Sequence, residues 1–279
     1  MQRSALLAAL AAIALWGVLA ALSLRLRGWP PFLLAGAALA VGSLCSIHRL
    51  RAWRVPGRAL ALGVYGLFGF HFLLFIALRL APPVEANLVN YLWPLLIVVL
   101  APVILPGVTL RTRHVAAALF GFAGAALLVT GAGPGLGGEG GGGAMLGYAA
   151  ALASALVWST YSLATKRFAA LPTATIGLYC AVSGALALAC HCLFEPRYVP
   201  QLAELPWLLV LGLGPMGAAF FLWDYALKRG DPRAIGALAY LAPLVSTLVL
   251  VAAGEGSLGP VTLVAMGLIV GGAVLGGRA

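Results

Sequence analysis

Two asparagines and a tyrosine precede a proline at helical spacing between residues 87 and 94. Asn87, Asn90, Tyr91 and Pro94 stand at positions i, i+3, i+4 and i+7, so they share one face of a helix. Pro94 has no amide hydrogen and leaves the carbonyl group one turn earlier without its helical donor. We predict that this face is a polar wall that binds a solute. The alternative is a proline kink that serves packing only.

The second half of the chain repeats this pattern with smaller side chains. Gly236, Ala239, Tyr240 and Pro243 have the same spacing, so the second wall carries a single ring and no amide. Because each proline interrupts the helical hydrogen bonds, we predict that Pro94 and Pro243 act as hinges.

Few titratable side chains lie inside the long apolar runs. His71 lies near the middle of one run, and a neutral imidazole both donates and accepts hydrogen bonds. We predict that His71 faces a cavity, with a packing histidine as the alternative. Asp224 precedes Lys228 by four residues, which is the spacing of a helical ion pair. Asp224 is either a structural partner of Lys228 or a gating or coupling residue.

Aromatic side chains inside the apolar runs complete the candidate site. Core packing is the alternative for each ring, but together they describe a pocket rich in rings and short of fixed charge. Such a lining suits an aromatic or apolar solute with a few hydrogen-bonding groups, whereas a phosphate needs basic side chains in the cavity. The predicted substrate-binding residues are His71, Asn87, Asn90, Tyr91, Trp93, Trp16, Trp158, Tyr161 and Tyr240.

The residues that other chemistry requires are missing from the sequence. Cys190, His191 and Cys192 are adjacent, but no second cysteine–histidine cluster completes a tetrahedral metal site. The chain has no His-Glu-x-x-His motif, no Gly-x-Ser-x-Gly motif and no pair of aspartates inside the apolar runs. We predict no metal, no cofactor and no enzymatic activity.

The composition shows which elements hold these residues. Of the 279 residues, 63% are hydrophobic and 9% are charged, whereas soluble domains carry about 25% charged residues. A soluble enzyme, a disordered protein and a nucleic-acid-binding domain are therefore excluded. The net charge of +10 rests on basic residues between apolar runs, which is the orientation signal of an integral membrane protein.

Ten apolar segments approach the length of about 20 residues that crosses a bilayer as a helix. The first follows Arg3, is too long for the core of a signal peptide, and is predicted to be retained. The second and fifth are short, which helix tilt or local thinning of the bilayer absorbs. The predicted spans are 4–24, 31–47, 59–80, 84–105, 115–131, 145–165, 172–193, 206–227, 233–252 and 260–277.

Lysine and arginine residues set the predicted orientation. With the N-terminus inside, 13 of the 17 basic residues (17 − 4) lie on the cytoplasmic side, and both termini are cytoplasmic. The four outer ones are Arg25, Arg27, Arg79 and Arg197.

A glycine-rich segment divides the spans five and five. Residues 133–143 hold eight glycines in eleven positions, without the strand or the Lys-Ser/Thr pair of a phosphate-binding loop. We predict a flexible linker over 132–144 between five-helix repeats over 1–131 and 145–279.

The two halves are related in sequence. Tyr-Leu-x-Pro-Leu occurs at Tyr91 and again at Tyr240, an offset of 149 residues (240 − 91). Because each half has an odd number of spans, the second enters the membrane from the opposite side. This predicts an all-α membrane protein with ten transmembrane helices in two inverted repeats around a central cavity, the architecture of alternating-access carriers.

These features resemble a known family. The ten spans, the inverted duplication, Trp16, Trp158 and Gly254-Glu255 before a glycine-rich last span are similar to the EamA branch of the drug/metabolite transporter superfamily. Residues 85–95, EANLVNYLWPL, more specifically resemble the YddG-type aromatic amino acid exporters. The resemblance covers nearly the whole chain.

The resemblance implies a basket-like bundle that exports aromatic amino acids and other flat solutes across a bacterial inner membrane. It also implies that His71, Tyr91 and Trp93 line the cavity. One departure is that the first half has Pro106-Gly107 where the second has Glu255.

The leading hypothesis is a secondary exporter of aromatic or apolar amino acids that works by alternating access. Facilitated diffusion is favoured because no cavity residue is a convincing proton carrier. The alternatives are an exporter of other metabolites or cationic drugs, for which only Asp224 offers a carboxylate, and a non-transporting sensor or scaffold. The predicted partners are a small solute and the lipid bilayer, without nucleic acid. Gly267 and Gly271 have the spacing that packs helices, either within a monomer or between two chains.

Overall fold

The computed structural model of the protein describes residues 2–131, 144–254 and 258–277. Within these ranges the chain forms helices and short helical turns, and no strand. Most of the predicted linker, together with Glu255 and the last two residues, lies outside the described residues.

Eight α-helices make up the first half. They are α1 (Arg3–Gly17), α2 (Leu19–Arg25), α3 (Pro31–Ser43), α4 (Gly57–Val64), α5 (Phe70–Leu80), α6 (Pro83–Asn90), α7 (Trp93–Ile104) and α8 (Thr112–Gly131). A 3-10 segment (Leu44–Trp53) continues α3, and a π-helical turn (Tyr65–Gly69) joins α4 to α5.

The second half has seven α-helices. They are α9 (Ala144–Ala164), α10 (Ile176–Phe194), α11 (Leu205–Leu213), α12 (Ala219–Arg229), α13 (Pro232–Ala239), α14 (Leu241–Ala252) and α15 (Pro260–Gly277). A second π-helical turn (Gly214–Ala218) joins α11 to α12.

Eight helical stretches of the described chain are long and apolar enough to cross a membrane. They are Arg3–Arg25, Pro31–Trp53, Gly57–Leu80, Pro83–Ile104, Ala144–Phe168, Thr173–Phe194, Leu202–Arg229 and Pro232–Ala252. The fifth and tenth predicted spans correspond to the shorter apolar helices Thr112–Leu128 and Pro260–Gly276. The second span, predicted as short, is 23 residues long, because the 3-10 segment extends it to Trp53. The chain is therefore a multi-pass membrane protein.

The helical boundaries of the two halves coincide at the offset found in the sequence. The first π-helical turn, α5 and α6 match the second turn, α12 and α13 at each start and each end, always 149 residues apart. The duplicated sequence therefore folds with duplicated irregularities. The helix breaks predicted at Pro94 and Pro243 are present, since α6 ends three residues before α7 begins and α13 two residues before α14.

Small residues bring the helices of the two halves together. A Cβ atom on Gly184 of α10 would lie 3.0 Å from the carbonyl oxygen of Gly36 of α3, and one on Gly42 would lie 2.9 Å from the Cα atom of Gly217. Such close backbone approach replaces the hydrophobic effect as the source of helix association in lipid. It holds α3 against α10 and against the second π-helical turn, beside the cavity described next.

Candidate functional site

A cavity of about 540 Å³ lies between the two halves. This is the size of a pocket for a small molecule. Side chains from both halves line it, and seven of the nine predicted binding residues are among them: Trp16, His71, Asn87, Asn90, Tyr91, Trp93 and Trp158. Of the described residues, no aspartate or glutamate lines the cavity.

The cavity has a mouth and a floor. The mouth lies where α2 connects to α3, and the exposed Arg27, with Trp29 and Pro31, lines it. Trp29, a residue type common at membrane interfaces, is only 5% exposed here because its ring packs 5.5 Å from that of Tyr198. The sequence placed neither Arg27 nor Trp29 in the site.

A cluster of rings forms the floor. Trp16 lies at its centre, with ring centroids 5.9 Å from Trp158, 6.3 Å from Trp93 and 5.1 Å from Trp223. The indole nitrogen of Trp16 donates to the carbonyl oxygen of Pro215 in the second π-helical turn, at 3.2 Å. An irregular turn of the second half thus fixes the central ring of the first.

A buried ion pair lies behind the ring floor. The Asp224 carboxylate lies 2.9 Å from the Lys228 ammonium group and accepts a hydrogen bond from Thr173 at 2.8 Å. Lys228 also donates to the carbonyl oxygen of Leu171. The predicted ion pair is confirmed, and Asp224, 3% exposed, lies outside the cavity lining.

His71 presents an acceptor to the cavity. Its Nδ1 atom lies 2.6 Å from the carbonyl oxygen of Leu67. A carbonyl oxygen only accepts, so Nδ1 carries the hydrogen, and Nε2 of the neutral ring is left with its lone pair. Phe70 and Phe220 pack edge-on against the imidazole at 5.1 and 6.3 Å and hold its orientation.

The fourth span contributes donors. The Ser154 hydroxyl group lies 2.8 Å from Oδ1 of Asn90 and 2.8 Å from the carbonyl oxygen of Ala151, and the NH₂ group of Asn90 is the part of this amide that donates. Asn87 lines the cavity one turn earlier on α6. The site therefore offers an acceptor on α5 and donors on α6, among rings.

Two predicted binding residues do not reach the cavity. Tyr161 is 2% exposed, and its ring covers Gly66, where a Cβ atom would lie 2.2 Å from the ring. It packs against Trp158 at 5.4 Å and so supports the floor from behind. The side chain of Tyr161 faces a glycine recess on the third span rather than the cavity.

Tyr240 is fully buried and lies inside the break of the fourth span. Its hydroxyl group accepts a hydrogen bond from the Leu95 amide at 3.2 Å and donates to the Tyr91 carbonyl oxygen at 3.1 Å. Its ring rests on Gly121, where a Cβ atom would lie 2.4 Å away. The sequence pattern identified both Tyr91 and Tyr240. It did not predict that the hydroxyl group of Tyr240 bridges the break in the helix that contains Tyr91.

Metal chemistry has no basis in the described residues, among which no three His, Cys, Asp or Glu side chains come together. The Cys190–Cys192 segment of α10 contributes one ion pair, between His191 and Glu195.

Comparison with known proteins gives consistent results. The model of the EamA-like transporter family matches twice, over residues 3–130 and 145–277. The chain is 44% identical over 286 residues to the aromatic amino acid exporter YddG of Ancylobacter novellus, covering 98% of this chain and 97% of the relative. A crystal structure of a protein 43% identical to this chain superposes with a TM-score of 0.94, covering 99% of this chain and 96% of the other.

Proposed function

The chain belongs to the EamA-like transporter family, and within it we propose that the protein exports aromatic amino acids and related small solutes across a bacterial inner membrane. The observation that carries this proposal is the cavity of about 540 Å³, lined by rings and free of carboxylates among the described residues. The name of the 44% identical exporter supports the same substrate class.

The site residues match the parts of such a substrate. A flat side chain packs among Trp16, Trp93 and Trp158, where edge-to-face ring contacts each contribute about 0.5–1.5 kcal/mol. The α-ammonium group donates to Nε2 of His71. The carboxylate accepts from the amide of Asn90 or Asn87. Tyr91, which lines the same wall, contributes a further ring.

The proposed architecture has ten spans in two inverted repeats, over 1–131 and 145–279, joined by the linker 132–144. The double match to the family model and the shared offset of 149 residues support it. The count includes the two shorter apolar helices, Thr112–Leu128 and Pro260–Gly276, as spans.

Alternating access follows from this duplication. The mouth holds Arg27, one of the outer arginines of the proposed orientation, and the ring floor and the Asp224–Lys228 pair face the cytoplasm, where both termini lie. The halves then exchange roles as the broken helices bend, with Pro94 and Pro243 as hinges and Asp224 as part of the inner gate. We propose a facilitative carrier, because no aspartate or glutamate of the described residues lines the cavity to carry a proton.

The alternative of a cationic-drug exporter needs a carboxylate within reach of the solute. Asp224 lies behind the floor and is already paired with Lys228, which argues against this role. A non-transporting scaffold has no use for a cavity with ordered donors and acceptors. Monomer and dimer remain alternatives: Gly267 and Gly271 have nothing within 4 Å of their Cβ positions, so this pair does not pack helices within the described chain.

The proposed function is tested by measuring counterflow of labelled phenylalanine, tryptophan and threonine in proteoliposomes, with and without a pH gradient. We expect exchange of phenylalanine and tryptophan without a gradient and much slower exchange of threonine. Flux that requires a pH gradient contradicts the facilitative mechanism. Absence of flux for both aromatic amino acids contradicts the substrate class.

A further inference from the structure

One arginine at the mouth of the cavity has no carboxylate partner among the described residues. Of the four arginines on the outer side, Arg79 alone has a carboxylate partner among the described residues. Arg25 lies over the ring of Trp207 at 5.3 Å, and Arg79 pairs with Glu195 at 3.0 Å. Arg197 lies outside the cavity lining. Arg27 lines the mouth and is within ion-pair distance of no described carboxylate.

No carboxylate of the described cavity lining balances the charge of Arg27. The described lining contains no carboxylate and no second permanently charged side chain. A charge at the opening of a cleft with low-dielectric walls concentrates counter-ions there. A guanidinium group, moreover, matches the planar fork of a carboxylate with two parallel hydrogen bonds.

A ring lines the same mouth as this cation. Trp29 lines the same mouth and is held in place by Tyr198, 5.5 Å away. A ring and an unpaired guanidinium group that line one mouth offer one contact to each end of an aromatic amino acid. The deeper residues, His71 among them, form a separate set whose acceptor serves the ammonium group.

We propose that Arg27 and Trp29 form an outer subsite that binds the carboxylate and the ring of the substrate as it passes through the mouth. This inference rests on the proposed function and adds to it a second contact for the carboxylate, at the mouth. It predicts that an aromatic amine is a poor ligand although its ring and ammonium group are unchanged. The subsite binds carboxylates as a class, so an aromatic acid without the ammonium group also occupies it.

The test measures binding to the purified full-length protein by quenching of its tryptophan fluorescence. The ligands are phenylalanine, phenylalaninol, which lacks the carboxylate, and 3-phenylpropionate, which lacks the ammonium group. We expect Arg27→Gln to weaken binding of both carboxylates about fivefold and to leave phenylalaninol unchanged, as for a partly exposed charge-assisted contact. Arg27→Lys keeps the charge but loses the planar fork, so it should restore only part of the binding that Arg27→Gln loses. Raising the ionic strength shrinks the difference.

Arg25→Gln is the matched control, since it removes the same charge two residues away and outside the cavity. Equal behaviour of the Arg25 and Arg27 variants overturns the outer subsite, as does phenylalaninol binding as tightly as phenylalanine to the wild-type protein. If phenylalanine counterflow persists in either case, the proposed function stands and only this inference fails. If phenylalanine neither binds nor exchanges, both fail.

Discussion

The side chain of Tyr240 completes the helix that Tyr91 interrupts. Its hydroxyl group stands between the Leu95 amide and the Tyr91 carbonyl oxygen, at 3.2 and 3.1 Å, where a regular helix would join those two groups directly. The two tyrosines occupy equivalent positions of the duplicated sequence, yet only Tyr240 is inserted in this way among the described contacts, and Tyr91 lines the cavity. One copy of the repeat therefore shapes the binding wall of the other.

Replacing Tyr240 with phenylalanine removes this inserted hydroxyl group and little else. The Leu95 amide and the Tyr91 carbonyl then either stay unpaired, at a cost of about 1–3 kcal/mol for a buried group, or bond directly and straighten the wall. We expect phenylalanine flux in proteoliposomes to fall about fivefold or more. Tyr65→Phe is the control, because its hydroxyl contact, with Thr160, is at an exposed site. Flux equal in the two variants would show that the insertion has no role in transport.

Pro94→Ala supplies the amide hydrogen that the break lacks. The Asn90 carbonyl then regains its donor, and the fourth span resists bending. We expect flux about tenfold lower, with purification yield and thermal melting temperature close to wild type. Pro102→Ala, within α7 but away from the break, is the control. Parallel losses of yield and flux would assign Pro94 to packing.

His71→Ala removes the acceptor of the cavity. A hydrogen bond to a charged group contributes about 1.5–3 kcal/mol, so the apparent affinity for phenylalanine should fall at least about tenfold. His48→Ala, on the 3-10 segment outside this cavity, should bind as wild type. Counterflow kinetics measured from pH 5 to 8 check this prediction. Wild-type behaviour of the Ala variant over that range would leave His71 a packing residue.

Asp224→Asn leaves the Lys228 ammonium group buried without its counter-charge. Breaking one side of a buried ion pair costs about 3–5 kcal/mol, so the melting temperature should fall. The double variant Asp224→Asn/Lys228→Met should recover part of the loss, because no charge is then left buried. Amino acid flux per folded molecule should fall as well, because Asp224 is part of the proposed inner gate. Loss of cation flux with amino acid flux intact would instead favour the drug exporter.

Local sequence rules predicted the spans and their breaks well. The predicted span ends rest on the positions of proline and glycine and on the length of each apolar run, and the described helices begin and end within a few residues of those ends. The 149-residue offset is likewise read directly from the sequence. The second span was longer than predicted, since a basic segment through Trp53 continues as a 3-10 turn where the apolar count had stopped.

Which aromatic side chains face the cavity was harder to predict, because the packing of a neighbouring helix determines their orientation. Tyr161 and Tyr240 leave the cavity because Gly66 and Gly121 on other spans offer recesses for their rings. Arg27 and Trp29 enter the cavity lining because a short connection between α2 and α3 folds over the mouth. Such contacts join residues far apart in sequence, and no local pattern encodes them.

The absence of carboxylates from the described cavity lining has a consequence for energetics. A zwitterionic amino acid carries no net charge, and apart from Arg27 at the mouth the described lining adds none, so the proposed facilitative cycle moves no net charge across the bilayer. The membrane potential, which contributes about 2.3 kcal/mol per elementary charge per 100 mV, then neither drives nor opposes export. The cell would set the direction of flow through its amino acid concentrations alone, whereas a cationic solute would be held inside by the same voltage.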